Sequence, residues 1–236
     1  MTKTNKIDHR ISYILMLDTE TANTITTDNG KLDMSNVLFY DLGGQVIDKK
    51  GKVYHRFSFV NSDIFYGMKE LMKSAYYANK IPRYIEDIQK GARLVRNTYQ
   101  IKDYIYRLCR AFNIKIVCAH NARFDNNALN ITQRYITKSK YRYFLPYGIT
   151  WYDTLKMAKD TICKQKGYIT FCRENGYITK NGQVKATAEV IYKYISGNNN
   201  FIESHTGLED VEIETRILAH CFRQHKKMRK KLFNSP

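Results

Sequence analysis

Tyr13–Leu17 is an unbroken apolar run with polar residues on either side, the pattern of a strand covered on both faces. Val37–Leu42 and Val53–Val60 mix polar and apolar positions in partial alternation and predict two further strands. Asp48-Lys49-Lys50-Gly51, between Val46-Ile47 and Val53, carries turn chemistry, so the chain is predicted to reverse there into antiparallel pairing. The period then changes. Ile101, Ile105, Leu108 and Phe112, with Tyr104 beside them, recur on one face of a helix. Two short strands follow, Lys115–Ala119 and Ile149–Tyr152, each leading into a helical pattern that begins near Phe124 and near Thr154. Ala186–Ile195 and Asp210–Gln224 predict two more helices, the last with Ile213, Ile217, Leu218 and Cys221 on one face. Antiparallel strands first and strand–helix units afterwards predict an α/β domain with a mixed sheet flanked by helices.

The length of 236 residues fits one domain with a sizeable core, here placed at about 13–222, followed by a basic tail at 225–231. That tail has no visible part in the core pattern; it either extends the last helix or frays, and its lysines are expected to contact phosphates or solvent. No apolar run is long enough to span a bilayer. Met1–Arg10 is polar and lacks a signal-peptide core, so a cytoplasmic location is expected. Five cysteines without a C-x-x-C pair read as reduced thiols packed as small apolar groups rather than as a zinc site.

Charge narrows the class. There are 39 Lys and Arg against 22 Asp and Glu, a net charge of +17. Such an excess attracts polyanions at long range, and acidic side chains are the better solubilisers, so the expected partner is nucleic acid. Among 19 tyrosines most are needed by the core. Tyr141, Tyr143 and Tyr147, interleaved with Lys138, Lys140 and Arg142, are the better candidates for stacking on a strand.

Three acidic clusters carry chemistry. Asp18-Thr19-Glu20 ends the first buried strand, and alternation sends both carboxylates to one side. Two acids forced together repel, and a divalent cation is the usual remedy. His120-Asn121-Ala122-Arg123-Phe124-Asp125 follows the strand Lys115–Ala119, at the strand end where open α/β sheets bind ligands. There Phe124 is expected to turn into the core and Asp125 outward. His205-Thr206-Gly207-Leu208-Glu209-Asp210 enters the last helix. The helix dipole accounts for Glu209 and Asp210, while His205 reads as a base held on the approaching loop.

In order these read D-x-E, N-x-x-F-D and H-x-x-x-x-D, and on those residues the chain resembles the DEDDh (DnaQ-like) 3′–5′ exonucleases of phage and bacterial type, the group that includes the proofreading subunit of replicative DNA polymerases. The match covers Tyr13 to Phe222. The resemblance implies an RNase H-like fold and a two-metal hydrolase using Mg²⁺ or Mn²⁺. It places Asp18 across both ions, Glu20 and Asp210 on the ion that carries the attacking water, Asp125 on the second ion and His205 as the base. Thr19, Thr21, Asn121 and Phe124 are implied as substrate contacts. The implied substrate is a nucleic acid with a 3′ end, single-stranded DNA favoured, with a polymerase or recombination protein as partner. An exoribonuclease of the same family and a non-catalytic nucleic-acid-binding module on this fold are the alternatives. Gly207 stands where the family more often has Ala, and Asp153 has two readings, an acid behind the metal site or an N-cap for the following helix.

Overall fold

The computed structural model describes residues 7–22, 25–26, 32–33, 35–75, 78–139 and 143–233. Its strands are β1 (Ile14–Ala22), β2 (Ile25–Thr26), β3 (Leu32–Asp33), β4 (Leu38–Ile47), β5 (Val53–Asn61), β6 (Leu94–Arg96), β7 (Ile116–Ala119) and β8 (Thr150–Asp153). β2 and β3 form a separate ribbon, and the other six form one sheet in the order β6-β5-β4-β1-β7-β8. β4 runs antiparallel to β1 and β5, whereas β7 and β8 run parallel to β1. The mixed sheet expected from the order of patterns is therefore present, an RNase H-like arrangement flanked by helices. The predicted reversal is also there: Asp48 Oδ1 accepts from the amides of Lys50 (2.8 Å) and Lys52 (3.1 Å), and Gly51 takes a φ of +83°.

The first half of β1, through Leu17, is buried on both sides, which is why that run is continuously apolar. Leu15 and Leu17 pack with α4 (Thr98–Ala111) and α5 (Arg123–Thr137), and Ile101, Ile105 and Leu108 are the buried stripe of α4 as predicted. Ile14 and Met16 face the other layer, α6 (Thr154–Asp160), α7 (Lys166–Glu174), α8 (Ala188–Ser196) and α9 (Gly207–Arg223). α9 begins three residues earlier than its periodicity predicts and buries Ile213, Ile217, Leu218 and Cys221. The five cysteines are buried and unpaired, as the apolar reading expects. Among the described residues no helix is long and apolar enough to cross a membrane.

The segment after β5 carries α1 (Ser62–Phe65), α2 (Lys69–Lys73), a 3-10 turn (Ala78–Lys80) and α3 (Ile81–Gln89), which cover a third cluster around Tyr40, Phe65 and Tyr84. None of these was predicted, because elements of one or two turns show too little periodicity to separate from loop.

The tail corrects its sequence reading. His225, at φ +51°, turns the chain after α9, and residues 230–232 then run along the outer edge of β8. Asp153 N donates to Lys230 O and Leu232 N to Trp151 O, both at 2.9 Å. Leu232 is buried in the core, and Arg229 makes three bonds to Asp160, from N at 2.9 Å, Nε at 2.8 Å and Nη2 at 3.0 Å. The physical reason is the sheet edge: β8 would otherwise present an unpaired row of backbone groups. Truncation after Gln224 is therefore expected to destabilise the whole domain. Losing the Leu232 side chain alone costs about 1.5–3 kcal/mol, and a denaturant melt of the truncated chain reads it. A melt unchanged by truncation would contradict this placement.

Candidate active site

β1 sends Asp18 and Glu20 toward α9, on the same side as Ile14 and Met16. One oxygen each of Asp18, Glu20 and Asp210 lie within 4.8 Å of one another. The fold achieves this by bringing the N-terminus of α9 hard against β4. A Cβ on Gly207 would stand 2.6 Å from Gly43 N, and one on Gly43 would stand 2.1 Å from Leu208 N. Both positions need glycine because backbone meets backbone. Gly207 N also donates to Asp41 Oδ2 at 2.9 Å. Asp41 is fully buried, accepts from Tyr84 Oη at 2.7 Å and pairs with Arg93 at 3.2 Å. Arg93 in turn holds Glu209 at 2.8 Å, so one buried ion network fixes the first turn of α9 and with it Asp210. Gly207→Ala is expected to lower stability by about 1–3 kcal/mol or more through overpacking. The same change should displace Asp210 from Asp18 and Glu20. A variant with wild-type melting temperature would contradict the close approach.

Asp125 sits in the first turn of α5, and Thr19 donates to its Oδ1 from both N (3.0 Å) and Oγ1 (2.8 Å). Two sequence expectations are corrected here. Asp125 is buried rather than outward-facing, and Phe124 is half-buried and lines the cleft rather than the core. The helix starts at Arg123, so residue 125 turns back under the sheet end where Thr19 can hold it. Thr19 thus braces an acid. Thr21 is buried and lies outside the cleft lining, while Asn121 and Phe124 are part of it. Asn121, at φ +64°, donates its N–H to Asp153 Oδ1 at 3.2 Å. The same oxygen caps α6 through Leu155 N (3.0 Å) and Lys156 N (3.4 Å), so Asp153 is an N-cap that also fixes the turn before α5.

His205 stands on the loop before α9 with a φ of +50°. Lys80 donates to the carbonyl oxygens of Ser204 and, at 3.2 Å, His205, which holds that unusual backbone in place. Glu203 Oε2 is 3.9 Å from His205 Nδ1, and Glu203, His205 and Asp210 form a second set of donor atoms within 4.8 Å. Glu203, Glu214 and Lys80 have no place in the sequence reading. Glu214 carried a signal, standing one turn after Asp210 on the same face; it is buried and accepts from His120 N at 3.1 Å. His120 also reaches the carbonyl oxygen of Ala186 from Nε2 at 3.0 Å, which ties the approach to α8 to the second motif.

Asp18, Glu20, Asp125, Glu203, His205, Asp210 and Glu214 line a cleft of about 590 Å³, with exposed Lys159 and Lys185 on it. Burial, then the neighbouring acids Asp125, Glu214 and Glu20, hold Asp18 well above the ordinary carboxylate range. Burial pushes Asp125 up to about 7, and burial with Glu203 pushes Asp210 up to about 8. His205 is lowered by burial and by Lys80. Hard oxygen donors at these separations fit a divalent cation, which takes carboxylate oxygens at about 2.0–2.6 Å. Metal-free protein should bind protons here that the unfolded chain has released. Acids with raised folded values stabilise fully below their unfolded pKa of about 4 and lose that stability as pH rises through 7 to 8. The melting temperature in EDTA is therefore expected to fall between about pH 5 and pH 8, and Mg²⁺ or Mn²⁺ to raise it more at the higher pH. An equal metal effect at both ends would contradict the assignment.

No family model matches the chain, and no curated protein matches it. The solved structures do share its fold. A 3′-exonuclease described in 3′-end specific recognition of histone mRNA stem-loop is 10% identical, with a TM-score of 0.57 over 93% of this chain and 85% of that one. A full-length 3′-exonuclease is 13% identical, with a TM-score of 0.56 over 93% of this chain and 85% of that one. The nuclease domain of 3′hExo, a DEDDh family member bound to rAMP, is 12% identical, with a TM-score of 0.51 over 95% of this chain and all of that one. The fold is therefore that of the DEDDh 3′-exonucleases.

Proposed function

We propose that the chain is one exonuclease domain that hydrolyses single-stranded nucleic acid from the 3′ end to nucleoside monophosphates, with two divalent cations, Mg²⁺ or Mn²⁺. The observation that carries this reading is the convergence of Asp18, Glu20 and Asp210 beside His205 in one cleft, on this fold. Asp18, Glu20 and Asp210 would hold one ion, and Asp18 with Asp125 the other. Bound there, such ions supply charge stabilisation for the attacking and leaving oxygens of an in-line displacement. His205 takes the proton from water, and its lowered pKa keeps it neutral and ready to do so near neutral pH. Lys80 holds its loop, and Thr19 holds Asp125. Asn121 and Phe124 contact the terminal nucleotide, Phe124 through its ring, and Lys159 and Lys185 counter the phosphate charge.

DNA is the first substrate reading. RNA is the second, favoured by the mRNA stem-loop and the rAMP named for two structures of the same fold. Matched DNA and RNA oligonucleotides with Mg²⁺, Mn²⁺ or EDTA test both. Metal-dependent cleavage faster on DNA is expected. Cleavage in EDTA would overturn the mechanism, a rate advantage on RNA would reverse the substrate, and binding without cleavage under any metal would leave a nucleic-acid-binding module.

A further inference from the structure

A second cleft, of about 790 Å³, runs along α5. Asn126 lines it where the adjacent Asp125 lines the carboxylate cleft. Its other end reaches Thr150, the first residue of β8, whose last residue Asp153 braces the turn before α5. The groove therefore leads from the catalytic end of the sheet toward the opposite end.

Its wall is built to hold aromatic rings outward. Tyr143 is 78% exposed and Tyr147 fully exposed, an unfavourable display for rings that nothing covers. They do not hang on loose chain. Asn130 Oδ1 accepts from Phe144 N at 2.8 Å, Tyr106 Oη donates to Leu145 O at 3.2 Å, and buried Phe144 packs edge-on against Phe39 at 5.6 Å. The loop is anchored at residues 144 and 145, between its two exposed tyrosines. The charge is one-sided as well: Lys102 and Lys231 are in the lining, and among the described residues that line it there is no Asp or Glu. Lys102 Nζ lies 5.6 Å from the Tyr106 ring centroid, so cation and ring face the same space. Fixed π faces with cations and no carboxylate fit a chain of bases and phosphates. Lys140, Tyr141 and Arg142, which the sequence pattern groups with these tyrosines, lie outside the described residues.

We propose that this groove binds the upstream part of the single strand whose 3′ end occupies the carboxylate cleft, with bases stacked on Tyr143 and Tyr147 and phosphates beside Lys102. It rests on the exonuclease reading for the identity of the strand, and it is tested without cleavage. Fluorescence anisotropy of the full chain in EDTA would compare 5′-labelled oligothymidylates of about 4 and about 20 nucleotides, lengths on either side of one short binding site. The longer strand is expected to bind about tenfold tighter or more, and the double variant Tyr143→Ala/Tyr147→Ala to abolish that advantage. Both side chains are exposed, so the variant should melt like wild type. An oligonucleotide with 5-iodouracil upstream of its 3′ end is expected to crosslink to the peptide carrying Tyr147. Equal affinity for both lengths in the wild type would overturn the proposal. A length advantage that survives the double variant, or crosslinks confined to other peptides, would also overturn it and leave a protein segment as the groove's occupant. Failure of metal-dependent hydrolysis would leave the groove result standing, and loss of the groove result would leave hydrolysis standing.

Discussion

Asp18→Ala is expected to reduce 3′-end hydrolysis by about 10³-fold or more, the several kcal/mol that carboxylate-bound ions contribute to charge stabilisation. Asp18 is the acid whose loss should disturb both proposed ion positions, since it lies within 4.8 Å of Glu20 and Asp210 and is raised by Asp125 and Glu214 as well. The same substitution removes one member of a repelling cluster, so the metal-free protein should melt no lower than wild type. The stabilisation given by Mg²⁺ or Mn²⁺ should shrink in parallel with activity. A rate within tenfold of wild type, with metal stabilisation retained, would mean that the first motif does not hold the ions. A lower melting temperature in EDTA would mean that the acids do not repel as placed.

His205→Asn is expected to lower kcat by about 10²–10⁴-fold, the range that general-base catalysis contributes, with little change in KM. Asparagine is the informative replacement because position 205 sits at φ +50°, which asparagine tolerates better than alanine. The loop clasped by Lys80 is then preserved while the ring is lost. His205 must be neutral to accept a proton, so wild-type activity should fall as pH drops through a value below the ordinary histidine pKa of about 6.5. The variant should lack that acidic limb. The side chain is 41% exposed, and a purely packing role predicts lost stability with the pH profile intact. Such a result would remove His205 from the catalytic set.

Much of this arrangement was legible because it follows from short-range pattern. The apolar run Tyr13–Leu17 announces a central strand, and the acids at its end inherit their direction from strand alternation. The place of Asp125 after β7 marks it as a candidate, but its direction is not legible there, because helix phase and not strand alternation sets which way residue 125 turns. Glu203 and Glu214 stand within a turn or two of the motif residues but belong to no motif of their own. Lys80, Asp41 and Arg93 carried no usable signal, since each acts across more than 40 residues of sequence through contacts that only the closed fold creates. The two glycines are a similar case. That Gly207 must be glycine depends on Gly43 opposite it, and neither position is informative alone. Tail pairing along β8 was hidden by composition, because basic residues read as solvated while their backbone closes the sheet edge.

Release of label from the two ends of one oligonucleotide tests the central claim most directly. A single-stranded substrate labelled at its 3′-terminal nucleotide, and a second copy labelled at its 5′ end, would be incubated with wild-type protein and Mg²⁺ or Mn²⁺. The carboxylate cleft predicts immediate release of 3′ label as a nucleoside monophosphate, while the 5′-labelled copy shortens stepwise and yields its label last. It also predicts no release from either copy in EDTA. Release of 5′ label first, release that survives EDTA, or products cut from the interior of the strand would contradict it.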